Sequence, residues 1–412
     1  MADATTLLSL YLRQESIKML HEMERASYRP FFFLSGVAAI GGGLVWSAPV
    51  ANPVLLHMHL LLFGMGTAAV AGYLLTALPS WAGREPIPTW LIRALVVLWL
   101  GARAGGFVAE SVPWSLVVAP GVMFGALLAG FLLYRVCGAA AWPRVHLSLI
   151  PLLPALAEVL VMQGGSWPSS QDTVMAGLVF ALLIMLIGGR AVPAFTVTGL
   201  ELRGLPSRVY APPGLQWISV AGLAVTLGAL VVSVPDRWIG SFLLLLGVLQ
   251  FFRLVGWRPW QVWRVWPLLM LQLAWAWLVV GLVLLGAAFF GVGGLLSGDA
   301  LHALTIGAMG GMILAFASRV AMPRDSQGLE ASVPQFTAMV LISLAALARV
   351  SPEFTGPIDN LWLASLCWTG GWILFLWALA PALCGAVPHP VLSGHRGGAQ
   401  KSLNGDAASG TH

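Results

Sequence analysis

Three histidines stand at the start of long apolar segments and are the side chains best suited to chemistry. His57 and His59 occur in HMHLLLFG, and His302 begins HALTIGAMGGM. Neutral imidazole is a common ligand of haem iron and of copper. If the two segments cross a membrane in the same direction, the three side chains reach the same depth from two helices. The sequence therefore predicts a metal or cofactor site built from His57, His59 and His302.

Helical geometry limits how these histidines can combine. Residues two apart on a regular helix point about 200° apart, so His57 and His59 cannot both reach one metal unless the helix is irregular there. One histidine per metal, or one ligand and one hydrogen-bond partner, is the easier arrangement. Hydrogen bonds to backbone or water at the headgroup level are the alternative without a metal. Soft thioether donors lie close by in the sequence, at Met58, Met65, Met309 and Met312.

Two further charges fall inside apolar segments, where an ionised group is costly and marks a candidate functional residue. These are Arg103, in LWLGARAGG, and Glu158. One interpretation is that they pair with each other. The other is that Arg103 binds a haem propionate, because guanidinium makes a two-pronged contact with carboxylate. Arg190, in GGRAVPAFT, stands at a segment end and is equally well explained as a topology anchor.

The elements that must position these residues are membrane-spanning helices. The 412 residues are 58% hydrophobic and 9% charged, whereas soluble domains carry roughly a quarter charged residues. The apolar blocks have the length of roughly 17–25 residues that a helix needs to cross about 30 Å of hydrocarbon. We predict an all-α, polytopic membrane protein with about twelve transmembrane helices, at 31–48, 54–78, 90–109, 113–135, 146–164, 172–191, 214–233, 237–254, 265–288, 300–320, 333–350 and 360–384.

The positions of lysine and arginine predict the orientation, because these residues concentrate on the cytoplasmic side. With the N-terminus inside, eighteen of the 21 cations are cytoplasmic, two (Arg237 and Arg349) lie outside, and Arg103 is within the third span. Both termini are therefore predicted to be cytoplasmic. We expect a cytoplasmic N-terminal segment at 1–30, a transmembrane domain at 31–384 and a disordered cytoplasmic tail at 385–412. Membrane lipid, and not nucleic acid, is the expected macromolecular environment.

Five motifs, in this order and spacing, resemble the NnrS family over roughly residues 29 to 380. They are RPFFFLSG, HMHLLLFGMGTAAVAGYLLTALPSWAGREP, LWLGARAGG, GGRAVPAFT and HALTIGAMGGMILAFASR. The resemblance implies a multi-pass protein of the bacterial inner membrane that holds haem b, with copper also reported for the family. It implies a role in nitric oxide metabolism during denitrification or nitrosative stress. Carried over by position, the family's histidines correspond to His57, His59 and His302, and a third-span arginine to Arg103.

The chain departs from the family pattern at several positions. Leu60 stands where the family usually has Glu, and Gln272 stands where a ninth-span His is common. Val197 and Thr198 replace an Arg-Asn pair, and Arg324 aligns near an expected His. The chain therefore looks like a divergent member in which the retention of copper is an open question.

The first hypothesis is a membrane haem protein, with or without copper, that handles nitric oxide or a related nitrogen oxide near the periplasmic face. An apolar pocket suits a neutral diatomic ligand. Reduction of the gas, electron transfer from an unidentified donor, and simple binding all stay open, although a single deep carboxylate, Glu158, argues against an efficient proton-consuming reductase. A metal-ion or small-molecule transporter is the alternative, and a structural partner for another membrane enzyme is a third.

Overall fold

The structure is a computed structural model that describes residues 18–19, 21–50, 52–83, 85–109, 111–163, 169–326, 328–351, 360–387 and 391–392. Most of the predicted N-terminal segment (1–17) and most of the predicted tail (393–412) lie outside the described residues.

Twelve helices in the described part of the chain are long and apolar enough to cross a membrane, and two short strands form one antiparallel hairpin. The helices are α1 Tyr28–Ser47, α2 Pro53–Ala82, α3 Thr89–Phe107, α4 Trp114–Gly138, α5 Trp142–Met162, α6 Ser170–Glu201, α7 Pro213–Val231, α8 Asp236–Gln261, α9 Trp266–Phe289, α10 Ser297–Ser318, α11 Val333–Val350 and α12 Asn360–Leu383. The strands are β1 Arg324–Asp325 and β2 Gly328–Leu329. The prediction of an all-α polytopic membrane protein is confirmed.

One predicted boundary was wrong by ten residues, since α6 continues past 191 to Glu201. Pro193 lies inside α6 and has no backbone N–H, which leaves the carbonyl of Gly189, four residues earlier, without its helical donor. Arg253 of α8 supplies the missing donor, with its Nη2 3.0 Å from the Gly189 oxygen. In a membrane a neighbouring helix must satisfy such a group because water is absent.

Three helices form the interior of the bundle. In α2, α6 and α10, between 72% and 83% of the most apolar stretch is buried inside the protein, against 28–61% in the other nine spans. The outer spans therefore present much of their apolar surface to lipid, while the central three contact mainly protein. Two of these three central helices, α2 and α10, carry the candidate histidines.

Both of these central helices change from α-helical to π-helical winding just after a candidate histidine. The π-helical segments are His59–Gly66 in α2 and Ala303–Gly310 in α10. Short π-helical segments are rare and are frequently found at functional sites. Side chains of α3 bond to the first segment, since Trp99 Nε1 donates to the Gly64 carbonyl at 3.0 Å. Helix α3 thus contacts the π-helical segment of α2 that begins at His59.

Candidate functional site

His57 lies near the start of α2 and points toward the end of α1. The side chain of Asn52 caps α2 by accepting a hydrogen bond from the Leu55 N–H at 3.0 Å, which fixes the first turn. The Nδ1 of His57 is 2.9 Å from the carbonyl oxygen of Gly42, and its ring packs on Trp46 with centroids 5.3 Å apart. A carbonyl can only accept, so Nδ1 carries the hydrogen and Nε2 keeps its lone pair.

His302 shows the same arrangement on α10. Its Nδ1 is 2.6 Å from the carbonyl oxygen of Gly298, so Nε2 again carries the lone pair. His302 and His57 lie within electrostatic range of each other and of Arg349 in α11, and no direct contact joins these three described side chains. Arg349 is held by an ion pair with Asp299, at 2.6 Å. We call His57 and His302 the histidine pair, and the end of the bundle where they lie the histidine end.

His59 points away from this pair, toward α3 and α5. Its Nε2 is 2.9 Å from the carbonyl oxygen of Ala102. Its Nδ1 lies 3.5 Å from Oε1 of Glu158 and has no hydrogen-bond partner among the described residues. The ring is enclosed because α3 has a glycine at 106, where an added Cβ would come within 2.8 Å of the imidazole Nε2. The structure therefore brings two of the three predicted histidines together and places the third behind them.

Arg103 and Glu158 form an ion pair in the bundle interior. Arg103 Nη2 lies 2.6 Å from Glu158 Oε1, and Arg103 Nη1 donates to the carbonyl of His59 at 2.7 Å. Helix α4 approaches the carboxylate through Gly121, where a Cβ would lie 3.0 Å from Glu158 Cδ. We call His59, Arg103 and Glu158 the buried cluster. The pairing is one of the two interpretations that the sequence left open, and the role of Arg103 at a cofactor stays a prediction.

Two of the four candidate methionines line an apolar cavity between the central helices. Met309 and Met312 of α10 line this space together with Phe180 of α6. Tyr73 is the only lining residue whose side chain carries a polar group. Such a cavity accepts small neutral molecules and excludes ions.

Sequence reasoning missed two arginines. Arg349 was counted only as an exception to the concentration of lysine and arginine on the cytoplasmic side. Its position on the predicted outer side is the signal that could have placed it at the histidine end. Arg253 was counted as a cytoplasmic topology residue but is buried in α8. It bonds to Gln216 Oε1 at 2.6 Å and to Gln250 Oε1 at 2.9 Å, and its guanidinium lies 5.0 Å from the ring of Trp275.

The positions at which the chain departs from the family pattern also have defined surroundings. Gln272 of α9 donates from Nε2 to Thr196 Oγ1 of α6 at 3.2 Å. Leu60 packs in a small apolar cluster with Val45 and Leu56. Arg190 is exposed, and its role is not tested by these contacts.

Each imidazole of the histidine pair would offer its Nε2 lone pair to a haem iron. Each imidazole has its Nδ1 hydrogen committed to a backbone carbonyl, which is the usual way a ligating histidine is oriented. Copper and zinc sites recruit three or more donors. The described residues contain no group of three or more His, Cys, Asp or Glu side chains that could hold a metal ion.

A comparison with known protein families identifies the family of the chain. The NnrS protein family matches residues 23–386, nearly the whole chain. No curated protein matches the sequence. The matched region includes all twelve spans, the histidine pair and the buried cluster. The chain therefore belongs to the NnrS family.

Proposed function

We propose that this protein is a haem b protein of the bacterial inner membrane that binds nitric oxide or a related nitrogen oxide at the histidine pair. The observation that carries the proposal is the matched state of His57 and His302, which are two imidazoles from two central helices. In each, the Nδ1 hydrogen is donated to a backbone carbonyl, and Nε2 keeps a lone pair that can bind a metal. Family membership supports the link to nitric oxide.

Residues around the pair would bind and orient the cofactor. Arg349 lies within electrostatic range of both imidazoles, and a guanidinium is a strong partner for a propionate carboxylate. Asp299 already holds Arg349 in place. Trp46 packs on His57 and limits its rotation. Haem, when bound, supplies the iron that holds the gas and exchanges electrons.

The buried cluster supports gas binding or electron transfer more than efficient reduction of nitric oxide. Reduction consumes protons, which must be delivered through titratable side chains. Glu158 is the only acidic side chain that is fully buried in the described part of the chain, and Arg103 holds it in an ion pair. The apolar cavity between α2, α6 and α10 gives a neutral gas an environment that ions cannot share.

Copper is proposed only as far as the family resemblance implies it, since the described residues offer no three-donor group at the pair. Family membership and the twelve apolar helices support the inner-membrane location, and the cation distribution supports a periplasmic histidine end. An electron donor acting there is part of the proposal.

The test is a visible spectrum of the full chain purified in mild detergent from cells supplied with haem precursor. We expect a reduced b-type band and a shift of the Soret band when nitric oxide is added under anaerobic conditions. Protein that is fully folded, by circular dichroism, and that contains no haem would overturn the proposal. Retention of a metal ion without a chromophore would favour the transporter instead.

A further inference from the structure

A second pocket lies at the opposite end of the bundle from the histidine pair. It is partly open and is lined by the end of α6, the start of α9, the end of α10 and strand β2. Its walls are mainly apolar, but Arg203 and Arg319 both line it, together with Thr198. No acidic side chain is among its lining residues. The pocket is therefore apolar on most sides and cationic on one.

Arg319 is a buried cation with an unused donor. It is 3% exposed, and its guanidinium lies 4.0 Å over the ring of Phe195, another lining residue. Its Nε donates to the carbonyl of Leu392 at 2.8 Å. Its Nη1 has no hydrogen-bond partner in the described part of the chain. A buried charge that has no counter-charge among the described residues is costly, so this donor is available to an anion.

Arg203 is fixed on the other side of the pocket. Its Nη1 donates to the Gly199 carbonyl at 3.0 Å, and its Nη2 donates to the Leu329 carbonyl of β2 at 3.1 Å. Gly328 of the hairpin has a φ of +107°, which favours glycine, and a Cβ there would lie 3.2 Å from Leu202 Cδ1. These two acceptors are neutral carbonyls, and no described carboxylate forms an ion pair with Arg203.

We propose that this pocket binds a phosphate group, supplied by an anionic phospholipid of the surrounding leaflet. Guanidinium groups recognise phosphate through paired N–H donors. Basic pockets between transmembrane helices on the cytoplasmic side bind anionic headgroups. The apolar lining from Leu202, Val265 and Leu268 suits the glycerol and upper acyl region of a lipid better than a hydrated free ion. This proposal is independent of the haem hypothesis.

The experiment is native mass spectrometry of the full chain, released from nanodiscs of phosphatidylglycerol or of phosphatidylcholine. The variants are Arg319→Gln and Arg203→Gln, with Arg208→Gln as a matched control, because Arg208 is an exposed arginine in the next loop at the same end. We expect a phosphatidylglycerol adduct to be retained by the wild type and by Arg208→Gln. Retention should fall about tenfold or more in the pocket variants, because each loses a charge-assisted hydrogen bond.

A second arm separates the two sources of phosphate. Inorganic phosphate and phosphatidylglycerol are each added to delipidated protein, and the midpoint of thermal unfolding is measured. If the ligand is a lipid, inorganic phosphate should raise the midpoint less than phosphatidylglycerol does. If the ligand is the free ion, inorganic phosphate should raise it at least as much as phosphatidylglycerol does. Equal retention of phosphatidylcholine, or an equal loss in Arg208→Gln, would overturn the proposal. Because Arg319 is buried and its variant can misfold, Arg203→Gln keeps the test decisive.

Discussion

Replacing Glu158 by Gln should be among the most destabilising single changes in the bundle. The Glu158 and Arg103 side chains are 1% and 6% exposed, and their charged atoms are 2.6 Å apart. Their attraction is about 6 kcal/mol at an effective dielectric constant of about 20, offset by the desolvation of both ions. Removing one member of such a pair leaves an uncompensated charge and costs about 3–5 kcal/mol. We expect Glu158→Gln to fall in that range.

Removing both charges should cost much less than the two single changes together. Apolar side chains of similar volume replace a buried ion pair at little net cost, so Arg103→Met with Glu158→Leu should retain most of the stability. The hydrogen bond from Arg103 to the His59 carbonyl is lost in both Arg103 variants and cancels in the cycle. The coupling free energy should therefore exceed about 2 kcal/mol.

The assay is equilibrium unfolding of the purified chain in mixed micelles with increasing dodecyl sulfate, followed by circular dichroism. Glu201→Gln is the control, since Glu201 is an exposed carboxylate at the end of α6. A loss below about 1 kcal/mol for Glu158→Gln, or single-variant losses that simply add in the double variant, would refute the ion pair.

Two other contacts give tests of the same kind. Arg253→Leu should lower the free energy of unfolding by at least about 2 kcal/mol, since it leaves the Gly189 carbonyl without a donor. Adding Pro193→Ala should recover part of that loss, because it restores a helical N–H. No recovery in the double variant would contradict the assignment of Arg253 as the donor. At the N-terminal segment, the hydrogen bonds from Arg93 lower the pKa of Glu24 in the folded protein. This pair therefore stabilises the fold fully at a pH above the ordinary carboxyl pKa of 4.5. The stabilisation is lost as the pH falls through the lower pKa of the folded state. Glu24→Gln should therefore lower the free energy of unfolding by at most about 1 kcal/mol at pH 7, and by nothing at a pH below the folded-state pKa. Unfolding at both pH values measures this difference. A cost that persists in acid would contradict the pairing of Glu24 with Arg93.

The sequence predicted the number and order of the spans because each span needs about 20 consecutive apolar residues, which are visible in the composition of each segment. It misplaced the end of α6 because Pro193 is ordinarily a helix terminator. The compensating donor, Arg253, comes from a different helix, and no local pattern reveals it.

The candidate site was predictable in its residue types and only partly in its partners. The separation of His57 from His59 followed from helical geometry alone. The juxtaposition of His57 with His302, and of Arg103 with Glu158, depends on which helices are neighbours, and one sequence carries little information on that. Arg349 was visible as an unusual outer cation, but its ion pair with Asp299 at the histidine end required the fold.

The ligand assignment is tested most directly by haem content and reduced visible spectra of four single variants: His57→Ala, His302→Ala, His59→Ala and His146→Ala. His146 serves as the matched control because its ring packs on Trp217, away from the pair. We predict that His57→Ala and His302→Ala lose or shift the b-type band, that added imidazole restores it in part, and that His146→Ala leaves it unchanged. A wild-type spectrum in both His57→Ala and His302→Ala would contradict the histidine pair as the haem ligands.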